Sequence, residues 1–228
     1  MIGAELLPLA LLGGVLGLDV VSFPQAMISR PIVAATLGGA FAGDAVSGLL
    51  IGAILELIAL DTLPLGASRY PEWGSASVVG GALFAAHPSH PSGAMGVAVL
   101  GALAAAWVGG WTMVKLRGLN ARWARQRRDA LAAGSRDAVI GLQLLGLTAD
   151  LARAALFTAL AYAILAPTVR AAIGVWGVDA RLSRAVVVGA SITVAAGAAW
   201  KVFHSTLGVR WTFLVGLAAG TVATVLLW

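Results

Sequence analysis

The chain has 228 residues with 15 basic and 10 acidic side chains and no cysteine; 60% of it is apolar and 11% charged. Soluble domains carry roughly 45–50% apolar and about 25% charged residues, so this sequence has too few polar groups to cover a water-soluble globule and too much hydrophobicity to stay disordered. Its mean hydropathy of +0.93 marks an integral membrane protein, and the lack of cysteine excludes disulfides, thiolate chemistry and cysteine-ligated metals.

Residues 1–18 are apolar, carry Glu5, and lack both a basic leader and a small-residue cleavage pattern. They read as part of the mature membrane domain and not as a cleaved signal peptide. From Pro31 to Leu60 the chain stays apolar but is interrupted by Gly38, Gly39, Gly43, Asp44, Gly48 and Gly52. Two short helices or a re-entrant hairpin fit this better than one span, because irregular backbone at membrane depth must be covered by protein or line a cavity. Residues 61–75, DTLPLGASRYPEWGS, predict a loop, 76–86 a short apolar piece, and 87–93, HPSHPSG, a second loop.

An uncharged run over 92–114 is long enough to cross a core of about 30 Å. Behind it lie Lys115, Arg117, Arg122, Arg125, Arg127, Arg128 and Arg136, opposed only by Asp129 and Asp137, so residues 115–137 hold the whole net charge of +5. A basic run directly after a span is the positive-inside signature, and 115–137 is read as a solvated cytoplasmic loop. Nucleic-acid binding is set aside, since Trp123 alone offers no stacking platform.

Apolar blocks follow at 138–169, 185–200 and 211–228. Asp150 and Arg153 share one helical face in the first block and read as an internal ion pair. Arg170, Arg181 and Arg184 flank the next gap, which a single span over 138–169 places outside, against the charge rule; a re-entrant segment there would resolve it. The fold expected is an all-α polytopic membrane protein, one domain over 1–228, with roughly six to eight membrane segments including re-entrant hairpins. The apolar run to Trp228 is read as leaving no attached catalytic domain. Trp73, Trp111, Trp123, Trp176, Trp200, Trp211 and Trp228 sit near segment ends, as an interfacial belt requires. Glycines four apart (13 and 17, 39 and 43, 48 and 52, 216 and 220) predict close helix approach.

Ionisable residues in apolar surroundings cost roughly 2.5–3.5 kcal/mol each and mark functional positions. Asp19, Arg30, Asp44, Glu56, Asp61, Arg69 and Glu72 crowd the first third. Glu56, in IGAILELIAL, has no basic neighbour in sequence. Two roles are open to it: a carboxylate held by loop amides or an arginine, or a cavity-lining acceptor for a polar solute such as a sugar hydroxyl, with Gln25 beside it. His87 and His90 sit among prolines that disfavour a continuous helix, and no third ligand for zinc lies nearby. Ser89 has no nucleophile elbow and no orienting carboxylate, which argues against an intramembrane hydrolase, and the chain has no phosphate-binding G-x-x-x-x-G-K-[ST] loop. No metal and no cofactor are expected.

The stretches SFPQAMISRPIVAATLGGAFAGD (22–44) and GLLIGAILELIALDTLPLGA (48–67) resemble the membrane subunit IIC of the mannose–fructose–sorbose family of the phosphoenolpyruvate-dependent sugar phosphotransferase system. In that family a Gln-containing segment runs into an Arg-Pro pair, a Gly-Asp, a G-x-x-x-G-x-x-x-E block and a Gly-Ala turn. The resemblance implies a non-catalytic sugar permease subunit in the bacterial cytoplasmic membrane. It would work beside a IID membrane subunit in an oligomer, while a phosphohistidine-bearing IIB, with IIA, carries the phosphoryl transfer. It further implies an elevator-like shift of one domain against another. Gln25, Arg30, Asp44, Glu56, Gly66, Ser68 and Glu72 are the substrate-binding candidates within a motif-rich region over 22–75. The family's small-residue run and Pro-Asp after the Gly-Ala turn is here SRYPEWG, with an added cation and two aromatics. That departure keeps a second reading open, a non-transporting scaffold or receptor subunit derived from the same family.

Overall fold

A computed structural model of the chain describes residues 2–62, 69–204 and 208–227, and these form nine helices and no strand. Helix α1 covers Ile2–Asp19, α2 Pro31–Phe41, α3 Ala45–Ala59 and α4 Trp73–Ala85. Helix α5 covers Ala94–Gln126, α6 Arg128–Ala132, α7 Arg136–Gly174, α8 Ala180–Phe203 and α9 Val209–Leu227. Among the described residues three helices, α5, α7 and α8, are long and apolar enough to cross a membrane, and five shorter apolar segments accompany them.

The glycine-broken stretch from 31 to 60 is a helical hairpin. Pro31 opens α2, where its missing N–H has no intrahelical partner to lose. Gly43, at φ +96, turns the chain, and Asp44 caps α3 by accepting the Ser47 amide at 3.0 Å and the Ser47 hydroxyl at 2.5 Å. The arms pack so closely that a Cβ on Gly39 would fall 2.6 Å from Gly48 Cα. This is the small-residue packing that lipid-embedded helices use. In α9 the same spacing does not serve it, for a Cβ on Gly216 would meet no atom within 4 Å.

Helix α4 is the buried centre. Residues 74–85 are all buried, with α1, α2, α3, α5 and α7 packed around them. α1 runs against α7, α8 lies outside against α3 and α5, and α9 touches α8. Val186, Ile192 and Val202 of α8 and Trp211 and Val215 of α9 are exposed, as a lipid-facing surface requires.

Two expectations need correction. Residues 115–137 are not a loop: Lys115 to Gln126 continue α5 as helix, α6 follows, and α7 begins at Arg136. The uncharged run meets no breaker at its polar end, so the helix continues into the basic residues, which are good helix formers. At 33 and 39 residues, α5 and α7 measure about 50 and 58 Å against an apolar core of about 30 Å, and their basic ends stand clear of it as a helical hairpin. Nor is 138–169 broken by a re-entrant turn, since α7 runs unbroken past Pro167 and Arg170 to Gly174. The charge conflict is met differently: seven basic residues gather at the hairpin end against Arg170, Arg181 and Arg184 at the other.

Candidate functional site

The described ends of α1, α2, α3 and α4 that point toward the basic hairpin stop inside the protein instead of crossing it. The Glu72 amide, just before α4, donates to the Ala106 carbonyl at 2.9 Å. Ile58, at the end of α3, lines a crevice with Val99 and Leu103. Those positions lie roughly 8–18 Å along α5 from its first residue, about the middle of a bilayer.

The 20–30 loop closes this level from the α1 side. Asp19 is buried, and its two oxygens accept the Ala26 amide at 2.6 Å and the Ser29 amide at 2.9 Å. Ser22 Oγ donates to Asp150 Oδ2 at 2.5 Å, and Arg153 Nε donates to Asp150 Oδ1 at 2.9 Å. Arg153 Nη1 then reaches Thr112 Oγ1 at 3.1 Å, so one polar chain centred on the buried Asp150 ties the loop to α7 and α5. Within the loop Gln25 (φ 59) and Met27 (φ 61) occupy the left-handed region that non-glycine residues rarely enter. Such strain persists only where surrounding contacts over-determine the backbone, and it gathers at functional sites.

Arg30 closes the loop. Its Nε donates to Glu56 Oε1 at 2.7 Å and its Nη2 reaches the same oxygen, while Glu56 Oε2 accepts the Ile32 amide at 3.2 Å. The arginine side chain is 35% exposed and the glutamate 20%, so the pair is shielded without being sealed. The charges cancel, and the carboxylate keeps acceptor capacity beyond the bonds it makes. A neutral fork of strong donors and acceptors on an open surface suits an uncharged polyhydroxylated molecule and disfavours an ion.

The other candidates separate. Gln25 is in the same loop, exposed, with its Nε2 donating to the Val21 carbonyl at 2.7 Å. Asp44 is at the opposite end of the α2–α3 hairpin, about 17 Å away by the length of α2. There Ser47 Oγ also lies 2.7 Å from His90 Nε2. Glu72 is fully buried and caps α4, Oε1 accepting the Ser75 amide at 3.0 Å. Its Oε2 has no hydrogen-bond partner. Gly66 and Ser68 lie outside the described residues. His87 bonds to the Leu83 carbonyl, His90 stacks on Phe84, and among the described residues no three His, Asp or Glu side chains cluster to hold a metal.

Residues 4–203 match the family model described as the PTS system sorbose-specific IIC component. This chain belongs to that IIC family. It is 38% identical over 77 residues to the sorbose-specific EIIC component of Klebsiella pneumoniae, and 40% identical over 77 residues to the mannose-specific EIIC component of Escherichia coli K12. Each match covers 34% of this chain and 28% of the relative, so the chain aligns with well under half of those proteins. A solved membrane protein superposes with a TM-score of 0.77 at 19% identity, covering 98% of this chain and 93% of the other. The mannose transporter ManYZ, solved in complex with microcin E492, superposes at 0.61 with 20% identity, covering 97% and 92%. These likenesses establish the all-helical membrane fold.

In this IIC chain the RYPEWG part of the departure, 69–74, is anchored to α5. The Arg69 guanidinium lies 4.2 Å over the Trp107 ring, and Arg117 Nη2 donates to the Tyr70 hydroxyl at 2.5 Å. Sequence reasoning overlooked Asp19 as the clamp of the site loop and Asp150 as its second anchor. The bond from Ser22 to Asp150 spans 128 residues, and no local pattern signals it.

Proposed function

We propose that the chain is the sugar-permease (IIC) subunit of a phosphotransferase system, passing a hexose-like sugar across the bacterial cytoplasmic membrane. The observation that carries this reading is the Arg30–Glu56 fork beside a strained, doubly clamped loop at mid-depth, where four short helices stop. Gln25, Arg30 and Glu56 form the wall of the sugar site, and Gly66 and Ser68 are further candidates to contact the sugar. Asp44 and Glu72 serve it from a distance, by shaping the hairpin turn and seating α4. The basic ends of α5 and α7 face the cytoplasm, because seven basic residues there outweigh three at the other end. A IID subunit covers the ionisable first third in an oligomer, and cytoplasmic IIB, recharged by IIA, phosphorylates the sugar at the basic side. The chain itself carries no phosphoryl group.

The test is sugar-dependent phosphorylation in vesicles holding this chain and IID, with IIA and IIB supplied. Phosphorylated hexose accumulating inside supports the reading; phosphate transfer that ignores the presence of this chain refutes it. A second reading, a non-transporting scaffold or receptor, is favoured by the Arg69–Trp107 and Tyr70–Arg117 contacts, which pin the 69–72 segment to α5. It predicts sugar binding or partner assembly without transport in the same vesicles.

A further inference from the structure

We propose that the crevice between α5 and α7, beside Lys115, binds an anionic phospholipid from the leaflet on the basic side, a role independent of sugar transport. The crevice holds about 420 Å³, within the roughly 300–1,000 Å³ of ordinary ligand sites. Its walls are Trp111 and Leu119 of α5 and Leu156 of α7, all more than a third exposed and none covered by another helix of this chain. Lys115 stands in its α5 wall between Trp111, one turn below, and Leu119, one turn above, with Nζ 5.0 Å from the centroid of the Trp111 ring. It forms no ion pair with a described carboxylate. Arg153, in the wall, is neutralised by Asp150.

Depth selects the occupant. Lys115 lies 21 residues beyond the first residue of α5, about 32 Å at 1.5 Å per residue, where an apolar core of about 30 Å ends. An ammonium at that height meets phosphates, while Trp111 on α5 and Leu156 on α7, below it, meet acyl chains. A tryptophan under a lysine is the pairing expected of an interfacial anchor. Arg122, two helical turns further on, lies on the same side of α5 and adds to the field. Basic pockets between membrane helices on the cytoplasmic side hold anionic headgroups for this reason. A partner's acidic segment would match the charge but leave the apolar lower half of the crevice unfilled.

The test uses the purified membrane complex, stripped of lipid in detergent and titrated with phosphatidylglycerol or, for comparison, zwitterionic phosphatidylethanolamine, with bound copies read by native mass spectrometry. Phosphatidylglycerol is expected to bind in preference. Lys115→Gln should weaken it about five-fold, Lys115→Arg should restore it, and Arg170→Gln at the opposite end should leave it unchanged. Equal binding of the two lipids, or undiminished phosphatidylglycerol binding in Lys115→Gln, overturns the proposal. So does a photoreactive group at Leu156 that cross-links in membranes to a partner protein and to no lipid.

Discussion

The Glu56 carboxylate and the Arg30 guanidinium join the two open ends of one helical hairpin, opposite the tight turn at Gly43 and Asp44. Turn and ion pair together fix the hairpin at both ends. Breaking a fully buried pair from one side costs about 3–5 kcal/mol because the other charge is stranded. Here the partners are 35% and 20% exposed, and solvent screening lowers that figure. A double-mutant cycle of Arg30→Gln and Glu56→Gln, read by thermal unfolding, should give a coupling of about 0.5–3 kcal/mol. Simple additivity would show that the two residues act independently.

Asp19 holds the site loop through two backbone amides, and asparagine can accept only with its carbonyl oxygen. Asp19→Asn therefore leaves Ala26 or Ser29 without its acceptor, at a cost of about 1–3 kcal/mol. Hydrogen exchange should quicken at those two amides while α8 is unchanged. Protection retained at both would show that the loop does not depend on this clamp.

Gly39 packs on Gly48 backbone to backbone, and the Cβ of alanine has no room there. Gly39→Ala should destabilise by about 1–3 kcal/mol. Gly189→Ala, in α8 where a Cβ meets nothing within 4 Å, should be neutral or stabilise by about 0.5–1 kcal/mol. Equal melting temperatures for the two variants would refute the close-packed hairpin.

Membrane class, helix-only architecture and the broken 31–60 segment were legible because hydropathy and glycine punctuation are local signals. The Asp150–Arg153 pair was legible for the same reason, two residues one turn apart. Where helices end was harder to read. Basic residues favour helix as readily as loop, so α5 runs through the charge boundary at Lys115 that suggested a membrane exit. The candidate site was half legible: Glu56 stood out by its charge, yet its partner Arg30 lies 26 residues away and the Asp19 and Asp150 anchors become visible only once α1 packs on α7. Asp44 matched the family pattern as well as Glu56 did, but spacing along a hairpin does not tell its turn from its mouth.

Sidedness can be measured directly in a chain that has no cysteine of its own. A cysteine at Gly118, in the extension of α5 beyond the core, should resist an impermeant thiol reagent outside intact cells. One at Ser89, exposed in the 87–93 turn, should react. The reverse pattern would invert the topology proposed above.

The decisive measurement is sugar affinity and IID co-purification on the same Glu56→Gln sample. A carboxylate acceptor makes hydrogen bonds worth about 1.5–3 kcal/mol, and the amide keeps its shape while losing the charge. Affinity should fall about 10- to 150-fold with the complex intact. Unchanged affinity in an intact complex would contradict a sugar site at the Arg30–Glu56 fork.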